Sequence, residues 1–540
     1  MLALSVSAGA RSQDVDFTIL LPDADRVHLL GSFNNWVESD DSLMSNVNGL
    51  WTKTVPLEDG AHEYFFRIAG SASARNTTSD WKSPRLKQTE DGAYHSILRI
   101  PEDLESYRAR LRQGSSTPEG IEVPLSYLAF PEEDAAYCPG GYGRQTLSAS
   151  PPPGDWTLPD FSDKHPLYAV MELGDSRFLA VLDRKPANAP FYNRLYFDRN
   201  GNGDLTDEEP LVTTDEQDAS QSYHSCAFPS VDVLMETAGQ IFPRRLAWYL
   251  SGSIPPNSVG SDPRAEAARL RTMNLFVRSA CAYMGEFQLD GKAYRLALSD
   301  TTANGSFDEK VALADNRRDP NGRLYPGGDS FLITPNNYFS GRNILLLGDF
   351  LAVGERLFQV HLDVPAGRLR LEPRDAGLVD LPGPMQSLSM ISAEKQGFMA
   401  VDTGQQVPVP PGSWTLLSYA LQKQDAWGDT WLLESAGCAG APPLRVVPQD
   451  RATLDVGEPL KSQVQLPEYA LAQAAAQGSL RMSFLLRGKQ DEFVTNLQRI
   501  SGTRSQHETA ARYTNRPKEP SYRIIQPNGE QVASGSFEYG

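Results

Sequence analysis

Apolar and polar residues alternate in short runs along most of the chain, and helical spacing is scarce. Val27-His28-Leu29-Leu30, Gly49 to Val55 and His62 to Ile68 each read as strands, separated by polar turns at Gly31–Trp36 and Glu58-Asp59-Gly60. Further on, Tyr168–Leu173 and Arg177–Asp183 flank a Gly-Asp turn as a hairpin, and Arg194–Phe197 forms the next strand. Gln359–Val364 with Leu369–Pro373, and the segment around Trp427–Glu434, predict two more hairpins. Helical patterning is confined to 101–112 and 263–272.

At 540 residues the chain is too long for one core. Closely spaced turn signals predict a mainly β, multi-domain chain of β-sandwiches of early-set or immunoglobulin-like type, with a β-rich middle domain. The expected division is a leader remnant or unstructured terminus at 1–14, a sandwich at 15–101 and a connector at 102–160. The middle domain follows at 161–375, then sandwiches at 376–448 and 449–540.

The turn Gly31-Ser32-Phe33-Asn34-Asn35-Trp36 ends a strand on an indole. A flat ring at the rim of a sandwich suits the C–H face of a pyranose, and Asn34 and Asn35 are candidates to orient its hydroxyls. This turn, the Gly49-Leu50-Trp51 strand and the strand with Gly60, His62, Tyr64 and Phe66 occur in an order that resembles a known family. It is the glycogen-binding domain of AMP-activated protein kinase β subunits and the related early-set domains of starch-branching and debranching enzymes. The resemblance spans roughly residues 15 to 100 and implies that Trp36 stacks on glucose, with Trp81 as a second stacking ring. Phe65 stands where the kinase subunit has a sugar-contacting Lys, and Ala93 and His95 stand where it has Thr and Asn.

A second motif is Asp198-Arg199-Asn200-Gly201-Asn202-Gly203-Asp204-Leu205-Thr206-Asp207-Glu208-Glu209. Calcium takes six to eight oxygens, and the EF-hand loop supplies them at positions 1, 3, 5, 7, 9 and 12 around a Gly at 6. Asp198, Asn200, Asn202, Asp204, Thr206 and Glu209 are therefore the candidate calcium ligands. A strand enters this loop and Pro210 follows it, so a calcium loop on β structure is expected, not a helix–loop–helix sensor. Asp300–Glu309 is a weaker echo that lacks Glu at position 12, where Val311 stands; Asp308, Glu309, Asp315 and Asp319 are substitutes.

Composition narrows the function. The net charge of −18, with no basic stripe, argues against nucleic-acid binding, and no segment is long enough to span a bilayer. Cys138, Cys226, Cys281 and Cys438 lack the paired spacing of a zinc ribbon. Ala8-Gly9-Ala10 resembles a leader cleavage site, which points to a periplasmic or secreted bacterial protein. No nucleophile elbow, phosphate loop or His-Glu-x-x-His motif is present in the sequence. The expected function is non-catalytic binding of an α-glucan or related polysaccharide with structural calcium. A cell-surface or periplasmic adhesion scaffold and an uncharacterised glycan hydrolase are the alternatives.

Overall fold

The computed structural model describes residues 12–538 except 22–23, 48, 70–76, 90–93, 112–113, 118–119, 131–141, 188, 216–222, 238, 254–269, 314–320, 335–343, 449, 467–469, 471–479, 481, 503–508 and 511–512. The expected leader at 1–14 and helix at 263–272 thus lie largely outside the described residues. Strand accounts for 58% of the described residues and helix for 4%, which makes this a multi-domain β protein.

The first sandwich contains β1 (Ser12–Leu20), β2 (Arg26–Gly31), β3 (Ser45–Val47), β4 (Leu50–Glu58), β5 (Gly60–Ala69), β6 (Thr77–Thr78), β7 (Arg85–Gln88) and β8 (Tyr94–Ile100). One sheet runs β1-β4-β3 and the other β2-β5-β8-β7, with β6 on β5. Strand alternation sets the two faces of the second sheet. On β5, Tyr64, Phe66 and Ile68 are buried, which leaves Glu63, Phe65 and Arg67 on the other face. Trp51 is a core residue whose indole N–H donates to the Leu21 carbonyl at 2.9 Å. Helix α1 (Leu104–Arg110) adds Leu104 and Tyr107 to the same core.

The middle region belongs to the same compact unit, which comprises 1–308, 329–339 and 362–370. The expected hairpin is present as Leu167–Leu173 and Ser176–Asp183, followed by the strand Arg194–Phe197 that leads into the Asp198 loop. A long hairpin of His224–Thr237 and Gln240–Gly252 packs Trp248 against Phe197. Strands Cys281–Leu289, Lys292–Ser299 and Ser330–Thr334 form an antiparallel sheet with Ser126–Ala129 at its edge.

The second unit comprises 309–328, 340–361 and 371–540. Its core holds Trp414, Tyr419 and Phe398. The break expected at 448/449 is bridged by a sheet: Thr430–Ala436 pairs along Phe493–Ser501. Local turn residues mark where a strand stops, and they carry no information about which distant strand it pairs with.

Candidate functional site

The turn that closes β2 is held by its own side chains. The Gly31 N–H donates to Asn34 Oδ1 at 2.9 Å, and Asn34 Nδ2 donates to the Leu29 carbonyl at 2.9 Å. Asn34 therefore serves the turn, in place of the hydroxyl-orienting part expected for it; Asn35 is exposed. Asn35 and Trp36 both adopt left-handed backbone, with φ of 53° and 62°. Such a conformation is costly for a bulky residue and persists only where surrounding contacts impose it.

Those contacts are aromatic. The Trp36 ring lies 5.6 Å from Phe65 at 18° and 4.9 Å from His95 at 29°, and Phe65 lies 4.7 Å from His95 at 21°. Trp36, Phe65 and His95 thus form one compact cluster of near-parallel rings, and Trp36 itself is 38% exposed. The rim is charged: Glu63 accepts from Lys87 at 2.8 Å and contacts His95 Nδ1 at 2.7 Å, while Arg67 pairs with Glu38 at 3.1 Å. Burial acts to raise the Glu63 carboxyl, yet hydrogen bonds from Lys87 and His95 outweigh it and hold the group below its ordinary range.

Trp81 lies elsewhere. Its indole N–H donates to Glu286 Oε1 at 3.2 Å, and its ring packs against the cluster of Ala282, Met284, Ala297 and Leu332 in the middle region. The Lys82 ammonium and the Arg295 guanidinium sit 4.7 and 5.5 Å from that ring. Asp80 anchors the turn from within the sandwich, accepting from the hydroxyls of Tyr64 at 3.0 Å and Tyr107 at 2.8 Å. The rings gathered around Trp36 are thus Phe65 and His95, whereas the second expected stacking ring is spent on an interdomain contact.

Residues 4–84 match the family model for carbohydrate-binding module 48, the isoamylase N-terminal domain. The N-terminal sandwich is a carbohydrate-binding module 48 domain. No curated protein matches the chain. Within the module, the sequence signal for Phe65 and His95 lay in their outward-facing strand positions. The register that places Tyr64 opposite Ser96 brings them side by side.

Beyond the module, the Asp198 loop is a succession of Asx turns. Asp198 is fully buried and its carboxylate accepts from the N–H groups of Asn202 at 3.1 Å and Gly203 at 3.0 Å. Asn200 Oδ1 accepts from Asn202 at 3.0 Å, Asn202 Oδ1 from Asp204 at 2.7 Å, and Asp204 Oδ1 from Thr206 at 2.8 Å. Gly201 and Gly203 have φ of 69° and 78°, which the sharp winding requires. Burial pushes the Asp198 carboxyl up, while the Thr206 hydrogen bonds hold Asp204 down. Glu208 reaches back to Arg199 Nε at 2.7 Å, and Glu209 is exposed with its carbonyl accepting from Arg199 at 3.1 Å. Among the described residues no three His, Cys, Asp or Glu side chains converge on one point. The oxygen donors that follow one another around the loop are Asp198, Asn200, Asn202 and Asp204, a hard-ligand set suited to calcium.

The echo at Asp300 repeats the winding. Asp300 accepts from Asn304 at 3.3 Å and Gly305 at 2.8 Å, and Asn304 Oδ1 accepts from Ser306 at 2.8 Å. Burial lifts the Asp300 carboxyl to about 6. Here a cation is built in: Arg244 donates to the Gly305 carbonyl at 3.1 and 2.8 Å and lies 4.6 Å from the Phe307 ring. The substitutes Asp315 and Asp319 lie outside the described residues.

Proposed function

We propose that the module holds an α-glucan or a related glycan on the outer face of β2, β5 and β8, with Trp36 as the stacking ring. The observation that carries this reading is an exposed indole, held in a left-handed turn and stacked with Phe65 and His95. Sugar C–H groups pack on that face, and Asn35, Glu63, Lys87 and Arg67 supply hydrogen-bond partners around it. A pure packing module would have this ring covered, and in the full chain it is Trp81 that packs against neighbouring strands. The rest of the chain is read as a non-catalytic scaffold.

The test is retention of the full-length protein on immobilised glycogen or starch. Trp36→Ala is expected to weaken retention at least about fivefold, the equivalent of roughly 1–3 kcal/mol for a stacked aromatic. Its unfolding midpoint should stay close to that of the parent, because the ring lies outside the core. Equal retention of the two proteins would rule out the platform.

The same reading gives the Asp198 loop a structural calcium ion, held by Asp198, Asn200, Asn202 and Asp204. Its chemistry would be to neutralise the loop's carboxylates and cross-link its turns. With a Kd of about 10⁻⁴–10⁻³ M, as in extracellular modules, 10 mM calcium is expected to add roughly 1.4–2.7 kcal/mol over a chelator-treated sample. Thermal unfolding in the two conditions measures this, and coincident curves would mean the loop is braced by its Asx turns alone.

A further inference from the structure

We propose that the cavity beside the Asp300 loop is a binding site for a free α-amino acid with an apolar side chain. The cavity measures about 320 Å³ and lies wholly within the first compact unit. Its walls come from the end of the strand Leu167–Leu173, the long hairpin of His224–Thr237 and Gln240–Gly252, the Asp300 loop, and Val364 with Pro365. The Gly174 N–H donates to the Asn304 carbonyl at 3.3 Å, which fastens the first wall to the loop. Met235 stands opposite Phe242 across the hairpin. Gly305, at φ 87°, lets the loop close on that hairpin, since a Cβ there would lie 2.5 Å from Met235 Sδ.

Charge decides the ligand. Arg244 lines the cavity and is only 4% exposed. Its N–H groups meet the Gly305 carbonyl, the Pro243 carbonyl at 2.8 Å and the Tyr283 hydroxyl at 3.4 Å, all of them neutral. Asp300 feels the guanidinium, but its carboxylate accepts from the Asn304 and Gly305 N–H groups and forms no ion pair with Arg244. A cation held out of water without a paired counter-charge is costly, so an anion brought against it is strongly favoured. Two carboxylates, Glu172 and Asp308, line the same cavity, and their exposure places them toward its mouth. A simple anion is repelled by them, and a simple cation is repelled by Arg244. A zwitterion answers both, with its carboxylate on Arg244 and its ammonium on Glu172 and Asp308. Met235, Phe242 and Val364 then supply apolar wall for a side chain.

The experiment is a calorimetric titration of the full-length protein with leucine, isocaproate and isoamylamine, the last two being leucine without its ammonium or without its carboxylate. Leucine is expected to bind at least about tenfold tighter than either, since each analogue lacks one charge-assisted contact. Glu172→Gln combined with Asp308→Asn changes exposed side chains and should erase the advantage of leucine over isocaproate while leaving the fold intact. Arg244→Gln should erase its advantage over isoamylamine; if that buried change prevents folding, the ligand series and the rim variant still decide. Trp36→Ala should bind leucine like the parent, which keeps this site separate from the glycan reading. Equal affinity for leucine and either analogue would overturn the assignment, as would an undiminished leucine advantage in the rim variant. So would the absence of binding by leucine, methionine and phenylalanine alike at millimolar concentration.

Discussion

Glu286→Ala is expected to destabilise the protein by about 3–5 kcal/mol, the cost of removing one partner from a buried ion cluster. The Glu286 carboxylate is 4% exposed and faces Lys82 at 3.3 Å and Arg295 at 3.1 Å, which are themselves 1% and 4% exposed. It also accepts from the Trp81 indole. Deleting it takes the carboxylate away from two cations that lie out of water, and the acceptor away from the Trp81 indole N–H. Glu286→Gln keeps an acceptor and should cost less, and combining Glu286→Ala with Lys82→Met should cost less than the sum, since each removes the other's reason for harm. Urea denaturation followed by tryptophan fluorescence reads both comparisons. A loss below about 1 kcal/mol would place the cluster in the class of solvated surface pairs.

The cluster also predicts acid sensitivity. Burial tends to raise the Glu286 carboxyl, but Lys82 and Arg295 prevail and hold it below its ordinary value of 4.5. A carboxyl depressed in the folded state contributes stability above that value and loses it as pH falls through the lower, folded one. Unfolding free energy should therefore drop in the acid limb below 4.5, and Glu286→Gln should flatten that limb.

Asp80→Ala is expected to cost roughly 2–4 kcal/mol through two orphaned phenols. Tyr64 and Tyr107 are both fully buried and both donate to Asp80 Oδ2, at 3.0 and 2.8 Å. An unsatisfied buried donor costs about 1–3 kcal/mol, and the two hydroxyls can relieve one another only in part. Burial raises the Asp80 carboxyl above 3.8, so the substitution removes a group whose charged form is held at some expense. Asp80→Asn keeps an acceptor for one phenol and should be milder. Glycan retention well below the unfolding midpoint should be unchanged, because Trp36 is held by other residues. A variant that unfolds like the parent would show that the phenols find new partners.

What could be read from the residues follows the range of the forces involved. The winding of the Asp198 loop depends on neighbours a few positions away, and the spacing of its Asp, Asn and Gly residues exposes it. Asn34 was legible as a polar group in a turn but not as the turn's own clasp, since either use needs the same side chain. The Phe65–His95 pairing depends on register between strands thirty residues apart, and the fate of Trp81 depends on Glu286, 205 positions away. Likewise the Asp300 loop reads as a weakened calcium site, and Arg244, 61 residues earlier, supplies the missing positive charge.

The placement of Trp81 and Lys82 bears on how freely this module can be transplanted. Cutting the chain after residue 100 would leave the homologous segment whole yet remove Tyr107 from its core and Glu286 from its flank. The severed piece would carry a wetted indole and an ammonium group stripped of its counter-ion. Graft boundaries drawn by homology and those drawn by autonomous folding thus diverge in this protein. A transferable sugar-binding cassette would need either the sheet bearing Glu286 carried along with it or Trp81 and Lys82 redesigned for water.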